Sequence, residues 1–206
     1  MFKVSFCSSN FGSAFPSKGE RMNPNGRSAT DLMVQYARYH RDRRNIATHF
    51  VGVPLIVFGL SALLSRPEWR LGEWSLTPIA LVWAISTIWY LTRGNLLLGG
   101  LTSLANGLLM ALAVHLTEGA GWAWMAWGIG AFAAGWVIQF IGHFYEGRKP
   151  AFVDDLSGLL VGPMFLVGEL LFTLGLARRL SEDIVRAAGP TYLRNLHPGP
   201  SPSGGR

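Results

Sequence analysis

Residues 46–64, IATHFVGVPLIVFGLSALL, are apolar apart from Thr48, His49 and Ser61. A run of about 19 residues, rising ~1.5 Å each as a helix, is long enough for one crossing of a bilayer's hydrocarbon core. Four further apolar stretches follow, at 76–91, 96–116, 122–141 and 159–177, separated by SRPEWRLGEWS, TRGN, TEGAG and GHFYEGRKPAFVDDLSG. The chain is 50% hydrophobic and only 15% charged, with a mean hydropathy of +0.27, which no ordinary soluble domain matches. The reading is an all-α integral membrane bundle with about four transmembrane helices and a re-entrant or interfacial fifth. Residues 1–30 read as a disordered leader without a cleavable signal, 31–180 as the membrane helical domain and 181–206 as a polar, disordered tail.

Charge orients the bundle. The net charge of +6 comes mostly from Lys and Arg before Ile46 and after Ala177, flanking the spans, with no nucleic-acid-binding motif beside them, so the expected basic partner is membrane lipid and not nucleic acid. Four crossings from a cytoplasmic N-terminus place Arg93 inside, Glu118 outside, and Arg148 with Lys149 inside. A fifth crossing would export Arg178, Arg179 and Arg186 and bury Glu169 in mid-membrane. The membrane is a bacterial inner membrane or an endoplasmic reticulum. The single cysteine, Cys7, excludes an internal disulfide and any thiolate metal cluster.

This topology brings His40, His49 and His143 to one membrane face, and imidazoles in that setting point to function. His40 and His49 are nine positions apart, half a turn out of phase on a straight helix, so they share a ligand only if the chain breaks, as it can near RDRRN. Asn45 lies one turn before His49, where it can hold that ring or a bound water. Gln139, His143 and Glu146 share a helix face. Imidazoles plus a carboxylate form the ligand type of non-haem Fe(II) oxygenases. His115 and Glu118 fall on the opposite face, and His197 in the tail, so structural roles are expected for them. Asp154 and Asp155 read as helix caps, Arg93 as a topology anchor, and Glu169 as a carboxylate in need of a partner. The small residues of GLTSLANG and GIGAFAAG read as helix-packing faces. The residues alone leave open a haem protein, a metal-free transporter with a proton relay, and a structural membrane protein.

The segments YARYHRDRRNIATHFVGVPLIVFGL and QFIGHFYEGRKPAF resemble the Mpo1-like family, small membrane proteins that are Fe(II)-dependent 2-hydroxy fatty acid dioxygenases. The match runs over His40, Asn45, His49, Gly52 and Pro54, then Gly142, His143, Glu146, Pro150 and Ala151, and extends over about 32–177. It implies Fe2+ held by His40, His49 and His143, with Glu146 and Asn45 as catalytic residues. It also implies O2 and a long-chain 2-hydroxy fatty acid as substrates, the acid leaving one carbon shorter. Arg44, Arg148 and Lys149 are candidates for binding the carboxylate, on the cytoplasmic side.

Overall fold

A computed structural model describes residues 26–66, 68–119, 121–153 and 155–196. Most of the expected leader, the tail beyond 196, His197 and Asp154 lie outside the described residues. Helix α1 spans Ala29–Ala37 and opens on a capping box in which the Ser28 hydroxyl accepts from Asp31 N–H and the Asp31 carboxylate accepts from Ser28 N–H. Leu32, Met33 and Tyr36, at helical spacing, are buried. That apolar face docks on α6 (Gly158–Thr173) and α7 (Arg178–Ala188). The surface helix expected over 31–44 is therefore shorter, packed against protein, and interrupted at 38–42.

Helix α2, Arg43–Leu64, restarts after that interruption with Asp42 as its N-cap. A two-stranded hairpin follows, β1 (Trp69–Leu71) and β2 (Trp74–Leu76), with Trp69 opposite Leu76. Gly72 takes the left-handed φ of +67° that the tight turn requires. The hairpin claims the start of the second apolar stretch, so α3 runs only Pro78–Leu91, with Thr77 capping it. Helices α4 (Leu96–Thr117) and α5 (Ala123–Glu146) complete the central bundle. Among the described residues, three helices, α2, α4 and α5, are long and apolar enough to cross a membrane. Helices α6 and α7 qualify only as one broken span, bent by 113°, which is the shape of a re-entrant or interfacial element.

The most extensive packing is between α2 and α5, and glycines make it possible. A Cβ on Gly59 would lie 2.5 Å from the Phe132 nitrogen and 2.6 Å from the Gly128 carbonyl; one on Gly135 would lie 2.7 Å from the Gly52 carbonyl. Backbones this close gain dispersion contacts that lipid cannot compete for. Gly128 and Gly135 belong to the GIGAFAAG stretch, whose role as a packing face is thus met. Helix α6 plugs the other side: Val161, Met164 and Phe165 are buried, and the Tyr90 hydroxyl of α3 donates to the Leu160 carbonyl at 2.8 Å.

The chain stays ordered past the boundary expected at 181, because α7 continues to Ala188 and buries Leu180 and Ile184. Beyond it, Tyr192 pairs with the 38–42 interruption: its N–H donates to the Arg41 carbonyl and its carbonyl accepts from Arg43 N–H, both at 2.9 Å. The part of the expected tail up to residue 196 therefore belongs to the folded body, since unpaired backbone groups at the interruption need partners.

Candidate metal centre

The interruption at 38–42 solves the phase problem posed by the nine-residue spacing. His40 sits in it, His49 sits two turns into α2, and their Nε2 atoms are 3.0 Å apart. His40 Nδ1 is 2.8 Å from the Tyr36 carbonyl and His49 Nδ1 is 2.8 Å from the Asn45 carbonyl. A carbonyl can only accept, so each Nδ1 carries the proton and each neutral ring presents a bare Nε2 lone pair. Burial first, and the two neighbouring rings next, hold His40 well below the usual imidazole range, so it stays neutral at pH 7. Two lone pairs facing each other at hydrogen-bond distance repel unless a cation lies on both. The 3.0 Å separation is that of two ligand atoms at right angles about an ion with bonds of about 2.1 Å.

His143, near the end of α5, completes the cluster. One ligand atom from each of the three buried rings lies within 4.8 Å of the others. Nδ1 of His143 is buried without a hydrogen-bond partner, an orphan that a metal bond would satisfy. The donor set of three imidazoles suits a borderline ion such as Fe(II), and the site fits that group.

Tyr36, by its spacing an apolar-face residue of the N-terminal surface helix, stacks its ring on His40 with centroids 4.0 Å apart and planes 7° from parallel. Its i, i+4 relation to His40 was the available signal.

Glu146 is brought to the interruption and not to the imidazole nitrogens. Its carboxylate accepts from Asp42 N–H at 2.8 Å, from Arg41 N–H at 3.0 Å and from Asn45 Nδ2 at 3.1 Å. Asn45 also donates to the Tyr39 carbonyl at 3.2 Å. Together these two side chains fasten the peptide that carries His40 to the end of α5. Gly142 lets this happen, for a Cβ there would collide with the Thr48 hydroxyl and lie 2.5 Å from Asn45 Oδ1.

The basic candidates are occupied elsewhere. Arg44 pairs with Asp42 at 2.7 Å and donates to the Arg194 carbonyl at 2.7 Å. Arg148 donates to the Arg38 carbonyl at 2.9 Å, and both Arg148 and Lys149 are exposed. None of the three lines the cleft described next. Glu169 finds its partner in buried Arg41, 3.8 Å away, which also donates to the His40 carbonyl at 3.0 Å. His115 is exposed at the far end of α4, apart from the cluster.

A cleft opens beside the imidazoles. His49, His143, Gln139 and Tyr36 form its polar end, and Val53, Ile56, Val57, Trp136, Leu159 and Pro163 its apolar walls. Its length follows α2 from residue 49 to residue 57, about 12 Å at the helical rise.

A family described as 2-hydroxy-palmitic acid dioxygenase Mpo1-like matches residues 27–174. The chain is similar to the 2-hydroxy-palmitic acid dioxygenase MPO1 of Saccharomyces cerevisiae, 34% identical over 165 residues that cover 77% of this chain and 90% of that protein. No solved structure matches significantly. The matched region contains all three imidazoles, Asn45 and Glu146, and the cleft.

Proposed function

The chain belongs to the Mpo1-like family, and from that premise we propose that it is a membrane-embedded dioxygenase that shortens long-chain 2-hydroxy fatty acids by one carbon. The observation that carries this reading is the pair of bare Nε2 atoms of His40 and His49, 3.0 Å apart, with the orphaned Nδ1 of His143 beside them. His40, His49 and His143 would hold Fe(II), which supplies the redox chemistry that reaction with O2 requires and a Lewis-acidic anchor for the two oxygens of a 2-hydroxy carboxylate.

The chain's own residues provide the rest. Tyr36 and Asn45 carbonyls hold the two imidazoles in the tautomer that leaves Nε2 free. Glu146 and Asn45 act as positioning residues, keeping the His40 peptide against α5. The apolar walls of the cleft receive the acyl chain, and its polar end keeps the headgroup at the imidazoles. The reaction balances without an added reductant: a 2-hydroxy acid and one O2 yield the acid one carbon shorter, carbon dioxide and water. The site lies at the end of the bundle carrying the basic N-terminal segment, the cytoplasmic face of a bacterial inner membrane or endoplasmic reticulum.

The test is direct. Detergent-solubilised protein given ferrous iron, O2 and a long-chain 2-hydroxy fatty acid releases the acid one carbon shorter, identified by mass spectrometry, while the unhydroxylated acid is unchanged. Equal conversion without O2 overturns the reading.

A further inference from the structure

Gln139 has no role in the centre described so far, yet its surroundings do not suit a packing residue. It is only 6% exposed, one helical turn before His143, and it lines the polar end of the cleft with His49 and His143. Its Oε1 is buried without a hydrogen-bond partner. An amide oxygen left bare in a mainly apolar cleft is destabilising, so its place there calls for a donor that arrives with the ligand. The room for it is built in: a Cβ at Gly52 would lie 3.0 Å from Gln139 Cγ and 3.2 Å from Cδ, so the glycine one turn past His49 is what lets this side chain lie across α2.

We propose that Gln139 is a specificity-determining residue whose Oε1 accepts the O–H of the substrate's 2-hydroxyl group, an inference that rests on the function proposed above. An ionised carboxylate cannot be the partner of Oε1, because both are acceptors. Of the groups on a 2-hydroxy fatty acid, only the hydroxyl donates. An unhydroxylated acid leaves Oε1 unpaired, and that penalty works against it whatever the acyl chain contributes in the cleft.

The experiment measures binding without turnover, by equilibrium dialysis of the metal-loaded protein under argon against three acids of equal chain length: 2-hydroxy, 2-methoxy and unsubstituted. The 2-methoxy acid keeps the oxygen but has no O–H. Wild type is expected to prefer the 2-hydroxy acid over both others, and Gln139→Met, which keeps length without an acceptor, to lose about five- to tenfold of that preference. Gln139→Glu keeps an acceptor oxygen, so it retains the hydroxy-over-methoxy preference while binding all three acids more weakly through charge repulsion. If Gln139→Met keeps the full wild-type preference, or wild type binds the hydroxy and methoxy acids alike, the inference is overturned. Should Gln139→Met not fold, Gln139→Leu, which also removes the acceptor, is read in its place by the same comparison. Turnover of wild type under O2 is scored separately, so failure of the proposed reaction is distinguishable from failure of the Gln139 assignment.

Discussion

The carboxylate of Glu146, at the end of α5, accepts the backbone N–H of Asp42 at 2.8 Å across the interruption between α1 and α2. Through it the last turn of one apolar helix holds the entry to another, and His40 is held in place two residues before that bond.

Glu146→Gln replaces one acceptor oxygen by a donor that must face a backbone N–H or Asn45 Nδ2. The expected cost is about 2–3 kcal/mol of stability, since buried hydrogen bonds to a charged group are lost. Weaker metal retention should accompany it, as His40 loses its support. Thermal unfolding in detergent and metal content after dialysis check the two effects together.

His40→Ala, His49→Ala and His143→Ala each remove one of three converging ligands, so each is expected to abolish stoichiometric metal on purification. His115→Ala, exposed at the far end of α4, leaves it unchanged. Elemental analysis of the four purified variants reads this out. Retention of full metal by two of the three cluster variants would place the centre elsewhere.

Gly59→Ala sets a methyl group against the Phe132 nitrogen and the Gly128 carbonyl, both backbone atoms that cannot swing away. Helices α2 and α5 must separate, at an expected cost of about 1–3 kcal/mol. Gly100→Ala, where a Cβ meets nothing within 4 Å, is expected to be neutral. A lowered melting temperature for the first and not the second tests whether glycine contact holds the bundle.

Hydrogen bonds from the Arg44 side chain first, and from the Arg194 and Arg44 backbone after, hold Asp42 at a pKa of about 2. With an unfolded value near 3.9, its contribution is fully present above about pH 4–5 and is lost as pH falls through about 2. Asp42→Asn is therefore expected to lower stability at neutral pH, and the gap between the two proteins should close on acidification. Unfolding of chelator-treated wild type and variant from pH 7 to pH 2 follows the gap without interference from the metal.

Arg38 and Arg148 are joined by a hydrogen bond at one end of the bundle, whereas Glu118 lies at the other end of α4. Single cysteines at 38 and 148, in a Cys7→Ser background, should be labelled from the cytoplasmic side by an impermeant reagent. A cysteine at 118 should be labelled from the opposite side. Labelling of 38 and 148 from different sides would break the shared site.

Much of this protein was readable before its structure. The spans, the fifth helix that does not cross simply, and the meeting of His40, His49 and His143 at one end follow from the length of apolar runs and the cost of imidazole in hydrocarbon, both properties of short stretches of chain. The break that reconciles His40 with His49 was legible too, from their helical phase. What remained hidden lies in bonds between residues about a hundred positions apart. Glu146 carries the spacing of a ligand, yet it serves the backbone of Arg41 and Asp42, because an unpaired peptide N–H has no sequence signature. The 189–196 segment looks like a loose tail, yet its backbone completes the interruption at Arg41 and Arg43. Those outcomes depend on how closely α2 approaches α5 at Gly52, Gly59, Gly128 and Gly135, and only the packed tertiary structure decides that distance.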